Sequence, residues 1–285
     1  MNEFADLSAD EFAARNGMLP MDASSLPAVS NATGATNPLG VGALPDSVDW
    51  RDHNLVNPVQ NQGSCGSCWA FSTVVSIEGA HAKATGDLVK LSEQNLVDCV
   101  KGQSDASNGQ QCCMGCKGGL MNDAMQFLID KQHGGVDTEA SYKYKGSDGT
   151  CGFTADAVGA TIGAFTQVAQ GDETALMQAV ATVGPVSIGV DASKGWQLYS
   201  GGVVHPKKLS GFHPFKKHSC SNDPTKMDHG VAVVGYGTDT AGGDYWIVRN
   251  SWGPSWGENG YIRLARGVNA CGIANAAVYP TQVSL

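Results

Sequence analysis

The sequence predicts an α+β protein whose helices come first and whose strands follow. Apolar residues recur at helical spacing after Cys68 and again after Leu120. From about Thr154 the pattern changes to short runs rich in valine and isoleucine, which are typical of strands and favour a barrel-like domain. We therefore predict a mainly helical domain over residues 44–153, a mainly β domain over residues 154–285, and a cleft between them.

Composition restricts the class of protein. The 285 residues are enough to bury a sizeable core, and a net charge of −9 argues against a general nucleic-acid-binding role. No apolar run reaches the roughly 18 residues of a membrane span. Nine cysteines are many for a cytosolic enzyme, and an odd number leaves at least one unpaired if the others form disulfides. We expect an oxidising or lysosome-like compartment.

The first 43 residues divide into a short helix and a linker. Ser8, with Glu11 three residues later, predicts a capped helix start. From Pro20 to Gly42 the composition is that of a flexible linker that should be easily cut, and it contains the one glycosylation sequon, at Asn31. No signal peptide is visible, because the chain starts without a basic stretch followed by an apolar run.

A glycine-rich turn over residues 62–67 runs into an apolar helix at Cys68. Phe71 and Val74 follow at helical spacing, and Gly86 is placed to end the helix. Cys68 therefore lies in the first turn, where unpaired backbone N–H groups and the positive end of the helix dipole favour a thiolate. This makes Cys68 the candidate nucleophile.

Further helices and strands follow the turn and its helix. A short capped helix is predicted over residues 91–99, another opens near Leu120, and a third covers Asp172–Val180 and ends before Gly184-Pro185. The clearest strands are predicted over residues 185–190, 229–234, 245–248 and 261–264.

The run Cys65-Gly66-Ser67-Cys68-Trp69 fits the nucleophile signature of papain and the cathepsins at every position. Two partner motifs follow in the family order, Met227-Asp228-His229-Gly230 and a stretch over residues 250–257 that begins with Asn250. The sequence therefore resembles the papain-like cysteine proteases, and the cathepsin L-like members in particular. His229 follows Cys68 by 161 residues, beyond the roughly 130–150 of the family, which indicates an insertion.

The resemblance implies catalytic roles for four residues. The Cys68 thiolate, ion-paired with the His229 imidazolium, would attack the peptide carbonyl and form a thioester acyl-enzyme. His229 would protonate the leaving amine and later activate water. Asn250 would orient the imidazole beneath Trp252, and Gln62 would donate its amide N–H to the oxyanion together with the Cys68 backbone N–H.

The resemblance also implies a cleft for an extended peptide. Gly118 and Gly119 leave room for the backbone of a substrate, since they carry no side chain. Ala276, small and uncharged, matches the floor of the second subsite and implies a preference for an apolar residue at P2, the second residue before the scissile bond. The predicted substrate-binding residues are Gly66, Gly118, Gly119, Leu120, Met121, Gly189, Asp228, Gly230, Trp252 and Ala276.

The N-terminal segment resembles the end of a propeptide. Asn2, Phe4 and Asp6 match the N-x-F-x-D motif of cathepsin L-like precursors, and residues 44–51 resemble the start of mature enzymes. We interpret residues 1–43 as a truncated propeptide remnant of a zymogen, processed near Gly42. Because the longer helices that precede this motif in the family are not in the sequence, we expect only weak inhibition.

The family pattern pairs six cysteines: Cys65 with Cys116, Cys99 with Cys151, and Cys220 with Cys271. It leaves Cys112 and Cys113 over, and these two could bond each other, bridge a partner or stay reduced. A basic insertion over residues 205–218 predicts a solvated loop, with binding of glycosaminoglycan or an acidic partner as the alternative.

Three rival interpretations stay open: a redox protein built on the C-x-x-C of Cys65 and Cys68, a zinc module built on the clustered cysteines, and a catalytically inactive binding homologue.

We expect neither a cofactor nor a metal. The partners expected are protein and peptide substrates and inhibitors of the cystatin type, with no nucleic acid. We expect a monomeric endopeptidase in a lysosome or acidic vacuole, or secreted.

Overall fold

A computed structural model describes residues 2, 4–20, 43–104, 111–192, 195–206 and 220–284. The predicted linker with its sequon at Asn31 lies outside these residues, as does most of the basic insertion. Among the described helices, none is both long and apolar enough to cross a membrane.

The helices form where the apolar periodicity places them. In chain order they are α1 (Ala9–Ala13), α2 (Cys68–Thr85), α3 (Glu93–Cys99), α4 (Met121–Lys131) and α5 (Glu173–Thr182). The capping box of α1 is present, because the Ser8 hydroxyl accepts from the Glu11 backbone N–H and the Glu11 carboxylate accepts from the Ser8 N–H. Helix α2 ends at Gly86, whose φ of 88° is the left-handed conformation that favours glycine.

One large sheet carries most of the strands. They are β1 (Val48–Asp49), β4 (Gly135–Asp137), β5 (Val158–Gln167), β6 (Val186–Val190), β7 (Val203–Val204), β8 (His229–Asp239), β9 (Gly243–Arg249), β10 (Tyr261–Ala265) and β11 (Ala276–Ser284). The remaining two, β2 (Lys101–Ser104) and β3 (Gln111–Met114), form a separate antiparallel hairpin.

The order across the large sheet is β4-β5-β11-β6-β8-β9-β10-β7, with β1 paired to β8. All pairs are antiparallel except β7 with β10. In the described chain the two end strands, β4 and β7, do not pair with each other. The α+β class is therefore confirmed, while the barrel-like expectation gives way to an open sheet, because the two-residue β7 offers no ladder for closure.

Helix α2 lies between two apolar cores. It contacts α3 and α4 on one side and β6, β8 and β11 on the other. All of its residues from Cys68 to Ala82 are buried. Two serines join the helix to the sheet, since the Ser72 hydroxyl donates to the carbonyl oxygen of Val231 over 2.6 Å and the Ser187 hydroxyl donates to that of Ser72 over 2.7 Å.

Helix α2 approaches the start of β6 most closely at Gly79. An added Cβ there would lie 2.4 Å from Cδ of Pro185 and 3.0 Å from the carbonyl oxygen of Leu55. We expect overpacking in Gly79→Ala to cost about 1–3 kcal/mol of stability. This cost outweighs the gain of about 1 kcal/mol in helix propensity, so the variant should be less stable than the unsubstituted chain. The denaturation midpoint in urea measures the net effect.

The exposed helix position Ala84 provides the control, because Ala84→Gly changes helix propensity without touching this contact. A Gly79→Ala variant as stable as the unsubstituted chain, or more stable, would show that Pro185 yields to the methyl group.

Candidate active site

The first residues of α2 and β8 meet at one point. Cys68 begins α2 and His229 begins β8. The backbone N–H of Gly230 donates to Sγ of Cys68 over 3.3 Å. A Cβ on Gly230 would lie 3.1 Å from Cα of Trp69 and 3.2 Å from the carbonyl carbon of Cys68, so only glycine allows the strand to approach the helix this closely. The structure thus brings together two motifs that lie 161 residues apart in the sequence.

The imidazole of His229 is held from two directions. Its Nε2 lies 2.8 Å from Oδ1 of Asn250, and because an amide oxygen only accepts, Nε2 carries the proton. The indole of Trp252 stacks on the imidazole with ring centroids 4.6 Å apart. Trp196 meets it edge-on at 6.0 Å. Nδ1 makes no hydrogen bond to any described residue.

Gln62 is fixed in its orientation by a residue that the sequence did not indicate. The hydroxyl of Ser251 donates to Oε1 of Gln62 over 2.6 Å, and the backbone N–H of Gln62 donates to the Ser251 carbonyl over 2.8 Å. The amide nitrogen is therefore turned the other way, where it donates to the carbonyl oxygens of Cys65, at 2.9 Å, and Arg15, at 2.8 Å. The second of these acceptors belongs to the N-terminal segment.

The N-terminal segment lies across the thiol. The backbone N–H of Gly17 donates to Sγ of Cys68 over 3.2 Å. Next to it, the Gly119 N–H donates to the carbonyl oxygen of Gly17 over 2.9 Å, and the Met18 N–H donates to that of Asp228 over 3.1 Å. A Cβ on Gly17 would lie only 1.8 Å from the carbonyl oxygen of Gly66.

These contacts bring the predicted cleft residues Gly66, Gly118, Gly119 and Asp228 against one strand-like stretch of the chain itself. Gly118 also touches it, because a Cβ there would lie 2.9 Å from the carbonyl oxygen of Gly17. The N-terminal segment therefore covers Cys68, the predicted nucleophile.

Met18 fills the predicted second subsite. A Cβ on Gly189 would lie 2.5 Å from Cε of Met18 and 3.1 Å from Cβ of Ala276. Gly189 and Ala276 are cross-strand partners in β6 and β11. Leu120 and Met121 belong to the same buried apolar cluster as Met18. Four of the predicted substrate-binding residues are thus grouped around Met18, which occupies the place of a substrate side chain: Gly189, Ala276, Leu120 and Met121.

Two phenylalanines anchor the segment on the other side of the site. Phe4 and Phe12 meet the Trp252 ring edge-on, at centroid distances of 5.5 and 5.0 Å. Both are buried, Phe4 to 1% and Phe12 to 2% exposure. Phe4 is a residue of the predicted propeptide motif, and its burial explains why an aromatic ring stands there.

Burial controls the ionisation of Cys68 and His229. It raises the pKa of the Cys68 thiol to about 11, although the N–H groups of Gly230 and Gly17 act in the opposite direction. Burial also lowers the pKa of His229 to about 4, although the hydrogen bond that its Nε2 donates to Asn250 acts in the opposite direction. The expected thiolate and imidazolium are therefore not the state of this structure. The physical reason is that both groups are fully buried beneath the N-terminal segment.

The structure pairs Cys65 with Cys116, Cys99 with Cys151 and Cys220 with Cys271, as the resemblance implied. Cys112 is bonded to Cys113, which selects one of the three alternatives left open. Together with Asp123 these two form a group whose possible ligand atoms lie within 4.8 Å of one another. Bonded sulfurs offer no thiolate, so this group does not suit a metal ion, and Cys68 is the free cysteine of the described chain.

Comparison with known proteins decides the family. Residues 44–281 match the model of the papain family of cysteine proteases. The chain belongs to that family. The papain-family chain is 45% identical to cathepsin L of Sarcophaga peregrina over 99% of its own length and 77% of that protein, and 46% identical to a cathepsin L-like protein of Caenorhabditis elegans over 98% and 76%.

Solved structures agree with these relatives. The papain-family chain superimposes on digestive procathepsin L 3 from the larval midgut of Tenebrio molitor with a TM-score of 0.77 and 39% identity, covering 98% of this chain and 81% of that one. It also resembles digestive procathepsin L2 of the same insect, with a TM-score of 0.80 and 38% identity over 99% and 82%. This papain-family chain is a cathepsin L-like cysteine endopeptidase, and peptides are its substrates.

The protonation of Cys68 can be tested by alkylation. With a thiol pKa of about 11, about one thiol in ten thousand is ionised at pH 7, so iodoacetamide should label the full chain slowly and about tenfold faster per pH unit up to pH 10. Once the linker has been cut and residues 1–42 removed, labelling at pH 7 should accelerate by at least a hundredfold.

Cys68→Ala is the control and should take up no label, since the other eight cysteines are bonded in the structure. Equal labelling rates at pH 7 before and after removal of the segment would contradict the effect of burial.

Proposed function

We propose that Cys68 is the nucleophile of the endopeptidase and that His229 is its proton carrier. Removal of the N-terminal segment lets water reach both groups, which lowers the cost of charging them. The thiol proton then passes to Nδ1 of His229, and the thiolate attacks the peptide carbonyl. The observation that carries this assignment is the contact of the Gly230 N–H with Sγ of Cys68, because it fixes the thiol beside the imidazole.

The carbonyl oxygen becomes an oxyanion as the C–S bond forms. We assign its donors as the amide N–H of Gln62 and the backbone N–H of Cys68 in the first turn of α2. In the covered state the Gln62 amide donates to Arg15, and departure of the segment releases that hydrogen. Asn250, acting through Oδ1, keeps Nδ1 directed at the reaction while it stabilises the imidazolium.

Collapse of the tetrahedral intermediate breaks the C–N bond. His229 gives its proton to the leaving amine, and the acyl group remains on Sγ as a thioester. Neutral His229 then takes a proton from water, whose oxygen attacks the thioester. The Cys68 thiolate leaves, and the carboxylic acid product is released.

We propose that residues 4–20 are an inhibitory propeptide segment. Support comes from the three contacts described above: Gly17 on the thiol, Met18 in the second subsite and Phe12 on Trp252. After cleavage in the linker, residues 4–20 are no longer covalently attached to the rest of the chain, and the segment can then dissociate. We assign residues 44–153 and 154–285 as the two domains of the mature enzyme.

The same arrangement supports an apolar P2 preference. Met18 is an apolar side chain of P2 size, and it lies against Gly189 in the apolar cluster that contains Ala276. A cystatin-type inhibitor would use the cleft that the segment leaves open. We propose a lysosome, an acidic vacuole or the extracellular space as the location, in keeping with four disulfides, and a monomer as the active form.

The residue assignments can be tested on the processed enzyme. We expect Cys68→Ala to abolish peptidase activity and labelling by an epoxide inhibitor, which should modify one thiol per molecule of unsubstituted enzyme. Gln62→Ala should lower kcat by about 10²–10³ because it removes an oxyanion donor. Ser64→Ala, at an exposed position within the turn, is the control and should retain full activity.

Peptidase activity that persists in Cys68→Ala would overturn the nucleophile. About one zinc ion per chain, measured by elemental analysis, would support the zinc alternative instead. An unsubstituted enzyme that takes up the epoxide without hydrolysing peptides would support the binding homologue.

The second subsite can be tested by introducing a charge at Ala276. Ala276→Glu should pair with an arginine at P2 and raise the ratio of kcat/KM for arginine over leucine at least tenfold, because a charge-assisted hydrogen bond replaces an apolar contact. Ala276→Gln matches the size without the charge and should leave the ratio within about threefold. If both variants shift the ratio equally, then size rather than charge at position 276 governs the subsite.

A further inference from the structure

Tyr144 contacts the Gln62–Ser67 turn that precedes Cys68. Its hydroxyl oxygen is 2.8 Å from the carbonyl oxygen of Gln62 and 2.7 Å from the hydroxyl oxygen of Ser67. These two residues flank the turn that precedes the nucleophile. A single phenol therefore contacts both ends of that turn.

The chemistry of the three oxygens fixes the direction of each hydrogen bond. A carbonyl oxygen only accepts, so the Tyr144 hydroxyl donates to Gln62. The Ser67 hydroxyl must then donate to Tyr144 in turn. Ser67 occupies the N-cap position of α2, yet its side chain makes no capping hydrogen bond there. The hydroxyl that would ordinarily cap the helix is instead committed to the phenol.

Tyr144 is itself held firmly. Its ring meets Phe71, one turn into α2, edge-on with centroids 4.9 Å apart. Its backbone N–H donates to Oε1 of Glu139 over 3.0 Å. The next residue, Lys145, donates its N–H to Oε1 of Gln94 over 2.7 Å. These contacts hold the Tyr144 ring and hydroxyl in place beside the turn.

From this geometry we propose that Tyr144 is a positioning residue of the oxyanion site. It acts by fixing the position of Gln62 relative to the start of α2. The proposal rests on the oxyanion role proposed above for Gln62. With its backbone oxygen held by Tyr144 and its side-chain oxygen held by Ser251, Gln62 keeps its amide nitrogen aimed across the turn. Preorganisation of this kind affects the transition state more than the ground state, because the oxyanion exists only in the former.

The phenol keeps its proton under all conditions in which the enzyme would work. Burial raises the pKa of Tyr144 to about 12, and the hydrogen bond from Ser67 lowers it by less. The residue therefore acts as a donor at acidic and neutral pH alike. It takes no part in proton transfer and does not touch the reacting atoms.

The test compares kcat and KM for a peptide amide substrate in the processed enzyme, with active sites counted by an epoxide inhibitor. Tyr144→Phe keeps the ring and removes the hydroxyl. We expect kcat to fall about three- to tenfold, as one neutral hydrogen bond would account for, with KM within about twofold. The rate of Cys68 alkylation by iodoacetamide should be unchanged, because that reaction forms no oxyanion.

The chain offers a matched control two residues away. Tyr142 is also buried, but its hydroxyl donates to Asp98 and lies away from the turn. Tyr142→Phe removes the same atom and should leave kcat within about twofold while lowering stability. A fall in kcat as large in Tyr142→Phe as in Tyr144→Phe would overturn the proposal, since the effect would then be general to the loop.

A double-mutant cycle with Gln62→Ala decides whether Tyr144 acts through Gln62. Once the amide has gone, Tyr144→Phe should change kcat by less than about twofold, since there is no donor left to position. An undiminished effect in the Gln62→Ala background would overturn the proposal. The two proposals fail separately: full activity of Gln62→Ala would refute the oxyanion role itself, whereas impaired Gln62→Ala with an unimpaired Tyr144→Phe would refute only the positioning role.

Discussion

The contact between the start of α2 and the start of β8 is the constraint on which the site depends. Sγ of Cys68 can accept a hydrogen bond from the Gly230 N–H only because no side chain stands between the two backbones. The central position of α2 makes this contact possible, since residues 68–82 are buried between two cores. A helix with one solvent face could tilt away from the strand, but this one is held from both sides. The position of the Cys68 thiol is therefore determined by the packing of α2 against both cores.

The N-terminal segment acts on the same thiol. It brings the Gly17 N–H to Cys68 and excludes water from it, and these two effects oppose each other in the pKa of Cys68. Exclusion of water is the larger effect, so the covered thiol stays protonated and the covered imidazole stays neutral. Obstruction and loss of charge thus come from one set of contacts. Exposing the pair would restore both access and reactivity.

The sequence was informative wherever the signal was local. The turn before Cys68, the ends of α2 and most of α5 follow from capping, glycine and apolar periodicity. Strand β11 was not among the predicted strands, and Pro280 in its middle is a residue that argues against a central strand. In the structure Pro280 nevertheless lies opposite Phe165 in the antiparallel pairing of β11 with β5. The ionisation state of the site was also missed, since it depends on a segment about 50 residues away in the chain covering the thiol. No local pattern reports such an event.

Gln62 shows why some residues of the site could not be predicted from the sequence. Its backbone oxygen is held by Tyr144, 82 residues later, and its side-chain oxygen by Ser251, 189 residues later. A tyrosine in a loop and a serine beside an asparagine are unremarkable in the sequence. Their role comes from the fold, because together they fix the orientation of one amide group from two directions. If Gln62 is the oxyanion donor that we propose, the cost of keeping its amide aligned is spread over residues that lie far from it in the sequence.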